Sequence, residues 1–224
     1  MNKAILLLSV MLLPAVLPAA GDDSEVNQRY SYAMGVRLGE LLRGQGIDAL
    51  DSAAFAAAID DVLKDRPLRL SPAEIRDAIV AQQRLLAEQK AQRAADNLRA
   101  GQAFLAQNAA NPDVVVLASG LQYRVLVHGD GPQPTLQDTV RVHYHGTLID
   151  GRVFDSSVER GEPAEFPLSG VVAGFREALS LMHVGDRWQV FLPSTLAYGE
   201  NGAGADIGPN ETLIFELELL DIVR

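Results

Sequence analysis

The run from Ser71 to Asn108 restricts the fold of this chain more than any other stretch. Ser71-Pro72-Ala73-Glu74 offers an N-cap serine, a proline at the first helical position and a glutamate placed to close a capping box. No proline follows before Asn108, and Gly101 weakens a helix there without breaking it. The pattern predicts one continuous helix, reaching on the order of 50 to 60 Å at the α-helical rise. That is longer than a small domain needs. Its second half is Ala, Gln, Arg, Lys and Glu with few large apolar residues, which predicts a rigid arm lying in solvent.

Ahead of the arm the pattern is helical as well. Val26, Tyr30, Met34, Leu38 and Leu41 form one apolar stripe that Gly44 and Gly46 end. Phe55, Ile59, Val62 and Leu63 form a second, behind Asp51 or Ser52 as N-cap and stopping before Pro67. Two short helices cannot bury a stable core alone, so their apolar faces imply a partner. Gly35 and Gly39 have the small-xxx-small spacing that lets two backbones approach, although packing within one protomer accounts for them equally well.

Residues 1–20 read as a cleavable export signal: Lys3 is the positive start, Ala4 to Leu13 the apolar run, and Pro14 to Ala20 the small-residue end, with cleavage expected near Ala19 or Ala20. The apolar run is too short to span a bilayer, which takes about 20 residues.

After Asn111-Pro112 the period changes to two. Leu121 to Val127 alternates. Val140, Val142, Tyr144, Gly146 and Leu148 share one strand face, opposite Arg141, His143, His145 and Thr147. Trp188 to Leu192 reads as another strand, and Leu213, Phe215, Leu217 and Leu219 line one face of the last. Between them, Val172, Phe175 and Leu179 form a helical stripe. The pieces fit an α+β chain in which an antiparallel sheet wraps round one short helix. A glycine-rich loop, Gly199 to Gly208, leads into the last strand, held at both ends by Tyr198 and Phe215.

Several chemistries are excluded. A formal charge of -10 with no Lys/Arg cluster argues against nucleic acid. The absence of cysteine removes disulfides, a thiolate nucleophile and Cys-ligated zinc. His143 and His145 share a strand face with Arg141 and have no third ligand nearby, so a solvated face is the better reading than a metal site. No Gly-Lys-Ser/Thr follows the glycine loop, and no serine stands in G-x-S-x-G. No cofactor is expected.

Five ordered motifs carry a specific resemblance. V-H-Y-H-G-T-L-I-D-G (142–151), V-F-D-S-S (153–157), the V-V-A-G-F-R-E-A-L helix (171–179), L-A-Y-G (196–199) and I-G-P-N-E-T-L-I-F-E-L-E-L (207–219) resemble the FKBP-type peptidyl-prolyl isomerases. The export signal and helical first half are similar to the exported bacterial Mip/FkpA-like subgroup. The resemblance implies a helical dimerisation domain over 21–70, a long connecting helix over 71–111 and an isomerase domain over 112–224. It also implies a homodimer joined through the N-terminal helices, and a periplasmic or outer-membrane and cell-surface location. The partners it implies are proline-containing unfolded or partly folded proteins, with macrolide inhibitors as further ligands. The alternative is a periplasmic holdase or binding module that keeps the fold with vestigial catalysis.

By matching position, the resemblance implies catalytic roles for Tyr144, Phe154, Asp155, Tyr198 and Phe215, and substrate binding by Phe166, Val171, Val172, Phe175 and Ile207. Phe154, Phe215 and Val172 would enclose the proline ring over Phe175 as floor. The Val172 N–H and the Tyr198 hydroxyl would hold peptide carbonyls. Asp155, oriented by the Tyr144 hydroxyl, would act electrostatically. The mixture suits the chemistry: rotating an X–Pro amide breaks resonance against a barrier of about 18 to 20 kcal/mol and needs neither nucleophile nor metal. A twisted amide has less charge separation than a planar one, so an apolar, water-poor pocket favours the twisted state relative to water. Phe175 stands where many active members carry tryptophan, Ala164 and Ala203 replace larger residues, and Asp206 adds a charge near the loop. These departures predict a wider pocket and reduced activity.

Overall fold

The computed structural model describes residues 23–47 and 49–223. The expected export signal lies outside them. Two compact units divide after Pro67.

The first unit holds α1 (Asp23–Gly44) and α2 (Ser52–Leu63). The left-handed Gly46 (φ 78°) follows the end of α1, as the sequence predicts. Asp51 is the N-cap of α2, its carboxylate accepting from the Ala53 and Ala54 N–H groups at 3.0 and 2.9 Å. No described residue of α1 is buried, and Val26, Tyr30, Met34 and Leu41 are all exposed. A Cβ at Gly35 or Gly39 would meet nothing within 4 Å, so neither glycine is spent on packing among the described residues.

The second unit opens with α3 (Pro72–Asn108). The capping box is formed: the Glu74 N–H donates to Ser71 Oγ at 3.3 Å, and the Ser71 N–H donates to Glu74 Oε2 at 2.8 Å. There follow β1 (Val115–Val116), β2 (Gln122–Val127), β3 (Thr139–Leu148), β4 (Val153–Ser156), the one-turn α4 (Ser157–Arg160), β5 (Ala164–Pro167), α5 (Ala173–Leu181), β6 (Arg187–Leu192) and β7 (Leu213–Val223). One antiparallel sheet runs β1-β2-β6-β7-β3-β4, with β5 also on β3. The alternation predicted for β3 and β7 is the alternation of burial observed. Their inward residues Val140, Val142, Leu213, Leu217 and Leu219 are fully buried, and α5 lays Phe175, Ala178 and Leu179 into the same core. Each fully buried Leu or Phe contributes about 1.5 to 3 kcal/mol.

The expectation that the second half of α3 lies in solvent does not hold. Ala94, Asn97, Gly101, Phe104, Leu105 and Asn108 recur at helical spacing and are less exposed than their neighbours, and Gly101 is buried. Phe104 packs on Phe191 with ring centroids 5.9 Å apart, and Gln122 donates to the Leu105 carbonyl at 2.9 Å. Phe191 lies on the sheet face opposite Val190 and is nevertheless buried. The docking stripe escapes a hydrophobicity pattern because it is built of small and amide residues. Its counterpart was visible: Val190-Phe191-Leu192 is apolar on both faces, the mark of a strand covered on both sides.

Candidate active site

A cavity of about 310 Å³ opens between β3, β4, β7 and the start of α5. It is lined by Tyr144, Phe154, Asp155, Phe166, Gly170, Val171, Val172, Phe175, Tyr198 and Phe215. Nine of the ten residues named from the sequence therefore meet in one place. Ile207 stands apart: it is buried in the core and its backbone pairs with Ala203. Ala164 and Ala203 pack against the core and are not in the lining.

The wall is a set of aromatic rings meeting edge to face. Phe175 is 5.1 Å from Phe215 and 6.1 Å from both Tyr144 and Phe166, centroid to centroid, and Phe154 meets Phe215 at 5.4 Å and 88°. Phe175 is buried under these contacts.

A β-bulge decides how Phe154 and Asp155 reach the cavity together. Neighbours on a regular strand point to opposite faces. Here Gly146 pairs with Asp155 while Thr147 pairs with Val153, so Phe154 is an extra residue that β3 does not match. The bulge turns both side chains to the same side. Gly146 makes room for the result, since a Cβ there would stand 2.6 Å from Phe154 Cζ and 2.9 Å from Phe215 Cε1.

The polar edge contains one residue that sequence reasoning missed. The Tyr144 hydroxyl donates to Asp155 Oδ2, and Arg160 donates to Asp155 Oδ1 and, at 2.9 Å, to the Tyr144 oxygen. The guanidinium also lies 5.5 Å from the centre of the Tyr144 ring. Burial works to raise the Asp155 pKa, but the bonds from Tyr144 and Arg160 outweigh it and hold the carboxyl below its ordinary range. Burial and the bond to Asp155 push the Tyr144 hydroxyl up. The edge is thus an ionised carboxylate with its charge already matched, unsuited to take a proton. Arg160 reaches Asp155 because α4 turns the chain once between them. Ser156 Oγ caps α4 by accepting from the Glu159 N–H at 3.1 Å, and the left-handed Gly161 ends it. Ser-x-x-Glu followed by glycine was the available signal.

Two donors remain at the cavity. Tyr198 lines it, and among the described residues its hydroxyl has no hydrogen-bond partner. Val172 is the N-cap residue of α5, so its N–H lies outside the helix ladder. On the outer face, His143 Nδ1 and His145 Nδ1 lie 3.1 and 3.0 Å from Ser157 Oγ and Ser156 Oγ.

Residues 131–220 match the family described as FKBP-type peptidyl-prolyl cis-trans isomerase, and residues 27–125 match the domain amino terminal to it. The chain belongs to the FKBP-type peptidyl-prolyl cis-trans isomerase family. It is 44% identical to the FKBP-type 22 kDa peptidyl-prolyl cis-trans isomerase of Escherichia coli (strain K12), over 88% of this chain and 96% of that protein. It is 42% identical to the outer membrane protein MIP of Legionella longbeachae, over 88% of this chain and 85% of the other. The crystal structure of FkpA from Escherichia coli superposes with a TM-score of 0.63 at 35% identity, covering 91% of this chain and 98% of FkpA. The activity of this FKBP is peptidyl-prolyl cis-trans isomerisation. The fold expected from the sequence, long helices followed by an antiparallel sheet round a short helix, is the fold observed.

Proposed function

We propose that X–Pro rotation takes place in the 310 Å³ cavity, with Phe154, Phe215 and Val172 enclosing the proline ring over Phe175. The bulge that brings Phe154 and Asp155 to one side of β4 carries this reading, because it serves no regular strand pairing. An apolar wall lowers the cost of the twisted amide relative to the planar one, which is binding spent on the transition state. The Tyr198 hydroxyl and the Val172 N–H hold carbonyls of the peptide and fix its orientation. Asp155, ionised and braced by Tyr144 and Arg160, sets the field at the edge and exchanges no proton.

The chain is read as an exported homodimer acting on proline-containing proteins as they fold outside the cytoplasm. The export signal expected from the sequence of residues 1–20 and the name of the Legionella relative, an outer membrane protein, support the location. The exposed stripe of α1 supports the dimer, since a face of Val26, Tyr30, Met34 and Leu41 is costly to leave in water. Macrolides are expected to occupy the same cavity. A holdase with vestigial catalysis is the weaker reading, because Phe175 keeps a ring-lined floor.

Phe154→Ala tests the assignment. The variant should lose on the order of 30-fold in kcat/KM on a proline tetrapeptide, the equivalent of about 2 kcal/mol of transition-state binding. It should lose similarly on a proline-limited refolding substrate. Unchanged turnover on both would remove the cavity as the reaction site.

A further inference from the structure

The C-terminal half of α3 touches Pro209–Thr212, the segment that joins the glycine loop to β7. Asn97 Nδ2 donates to the Pro209 carbonyl at 2.8 Å and to Glu211 Oε1 at 3.1 Å. One turn on, Gly101 presents bare backbone to Thr212, and a Cβ there would stand 2.2 Å from Thr212 Oγ1. Asn210, between these contacts, has a left-handed backbone with φ of 55°. Its Nδ2 donates to the Ala94 carbonyl at 3.2 Å, and its N–H donates to the Gly199 carbonyl at 2.8 Å. Gly199 directly follows Tyr198, whose side chain lines the cavity.

A left-handed asparagine persists where its surroundings over-determine it, and Asn210 is held from both sides. Apolar contact alone would bury the seam without fixing its register. Hydrogen bonds to particular carbonyls fix it, because they weaken steeply with angle and distance. We propose that α3 is a positioning clamp for the pocket: Ala94, Asn97 and Gly101 hold the Gly208–Thr212 segment, and Asn210 passes that hold to the Tyr198–Gly199 turn. Asn97, Gly101 and Asn210 are positioning residues, and none of them lines the cavity. The proposal rests on the assignment of Tyr198 as the donor to a peptide carbonyl.

The test uses the full chain and a proline tetrapeptide, with kcat and KM measured separately well below each variant's melting temperature. Asn97→Ala cuts the seam with a good helix former. Asn210→Gly keeps the left-handed backbone and the N–H to Gly199 while releasing Ala94. Each should raise KM about 3- to 10-fold, the range of one misplaced hydrogen bond, with kcat within about twofold. Tyr198→Phe should raise KM comparably. Asn97→Ala combined with Tyr198→Phe should do no more than the worse single change, because the displaced donor is then absent. Gly101→Ala should raise KM despite improving helix propensity, and Thr212→Ala added to it should restore the wild-type value.

Wild-type KM in Asn97→Ala and Asn210→Gly, with only the melting temperature lowered, would overturn the clamp and leave the Tyr198 assignment standing. So would effects that multiply fully in the double variant. An unchanged KM in Tyr198→Phe alone would remove the donor assignment, and the clamp with it.

Discussion

The Tyr144 hydroxyl donates to Asp155 in a hydrogen bond that joins β3 to β4, and Arg160 closes the third side. The folded carboxyl therefore titrates below its ordinary value of 3.8. A depressed acid adds stability in full above its unfolded pKa and loses it as pH falls through the folded value. The melting temperatures of wild type and Asp155→Asn should differ by a constant amount at neutral pH and converge once pH drops below 3.8. Both partners are half-exposed, so the constant difference should be small. A gap that instead widened in acid would contradict the ion-paired edge.

Gly146 on β3 sits where an added side chain would press on the pocket wall. Gly146→Ala forces a methyl group against the Phe154 and Phe215 rings. Overpacking of this kind costs about 1 to 3 kcal/mol. The variant should melt lower and lose tetrapeptide turnover together, measured by thermal unfolding and kcat/KM. Full activity with a lower melting temperature would show that the two rings need not stand as they do.

The floor offers a gain-of-function test. Phe175 touches Tyr144, Phe166 and Phe215 within 6.1 Å, so Phe175→Trp must press on three rings. Stability should fall by about 1 to 3 kcal/mol. The added indole area and N–H should tighten macrolide binding, read as a lower Kd by calorimetry. No change in Kd would argue that the ligand does not reach the floor.

Met34 sits mid-way along the exposed stripe of α1. Met34→Glu places a charge where a second copy is expected to dock, and desolvating it unpaired is costly. Sedimentation velocity should show the wild-type chain as a dimer and the variant shifted to monomer, with tetrapeptide turnover retained. Activity on a refolding protein should fall. A wild-type monomer at micromolar concentration would rule out the helical interface.

Arg160 and Asn97 mark where reading the sequence stopped short. Arg160 lies five positions past Asp155, and only the turn of α4 brings it back. Asn97 is 112 residues from Pro209 and sits in a helical face of small and amide side chains, which a search for apolar periodicity passes over. By contrast, the alternation of β3 and β7 and the capping box at Ser71 and Glu74 depend on near neighbours, and both were legible.

Taken alone, the amino-acid sequence determined where α2 and α3 are capped, which faces of β3 and β7 turn inward, and, through five ordered motifs, the family and its reaction. These follow from local backbone preferences and from side chains repeating at the period of their element. Only the tertiary structure decided that Phe154 and Asp155 share one side of a bulged strand, that Arg160 completes the edge, and that the C-terminal half of α3 lies on the sheet instead of in solvent. Each of those depends on register and close approach between distant segments, where a single unmatched residue or a missing Cβ changes what can touch.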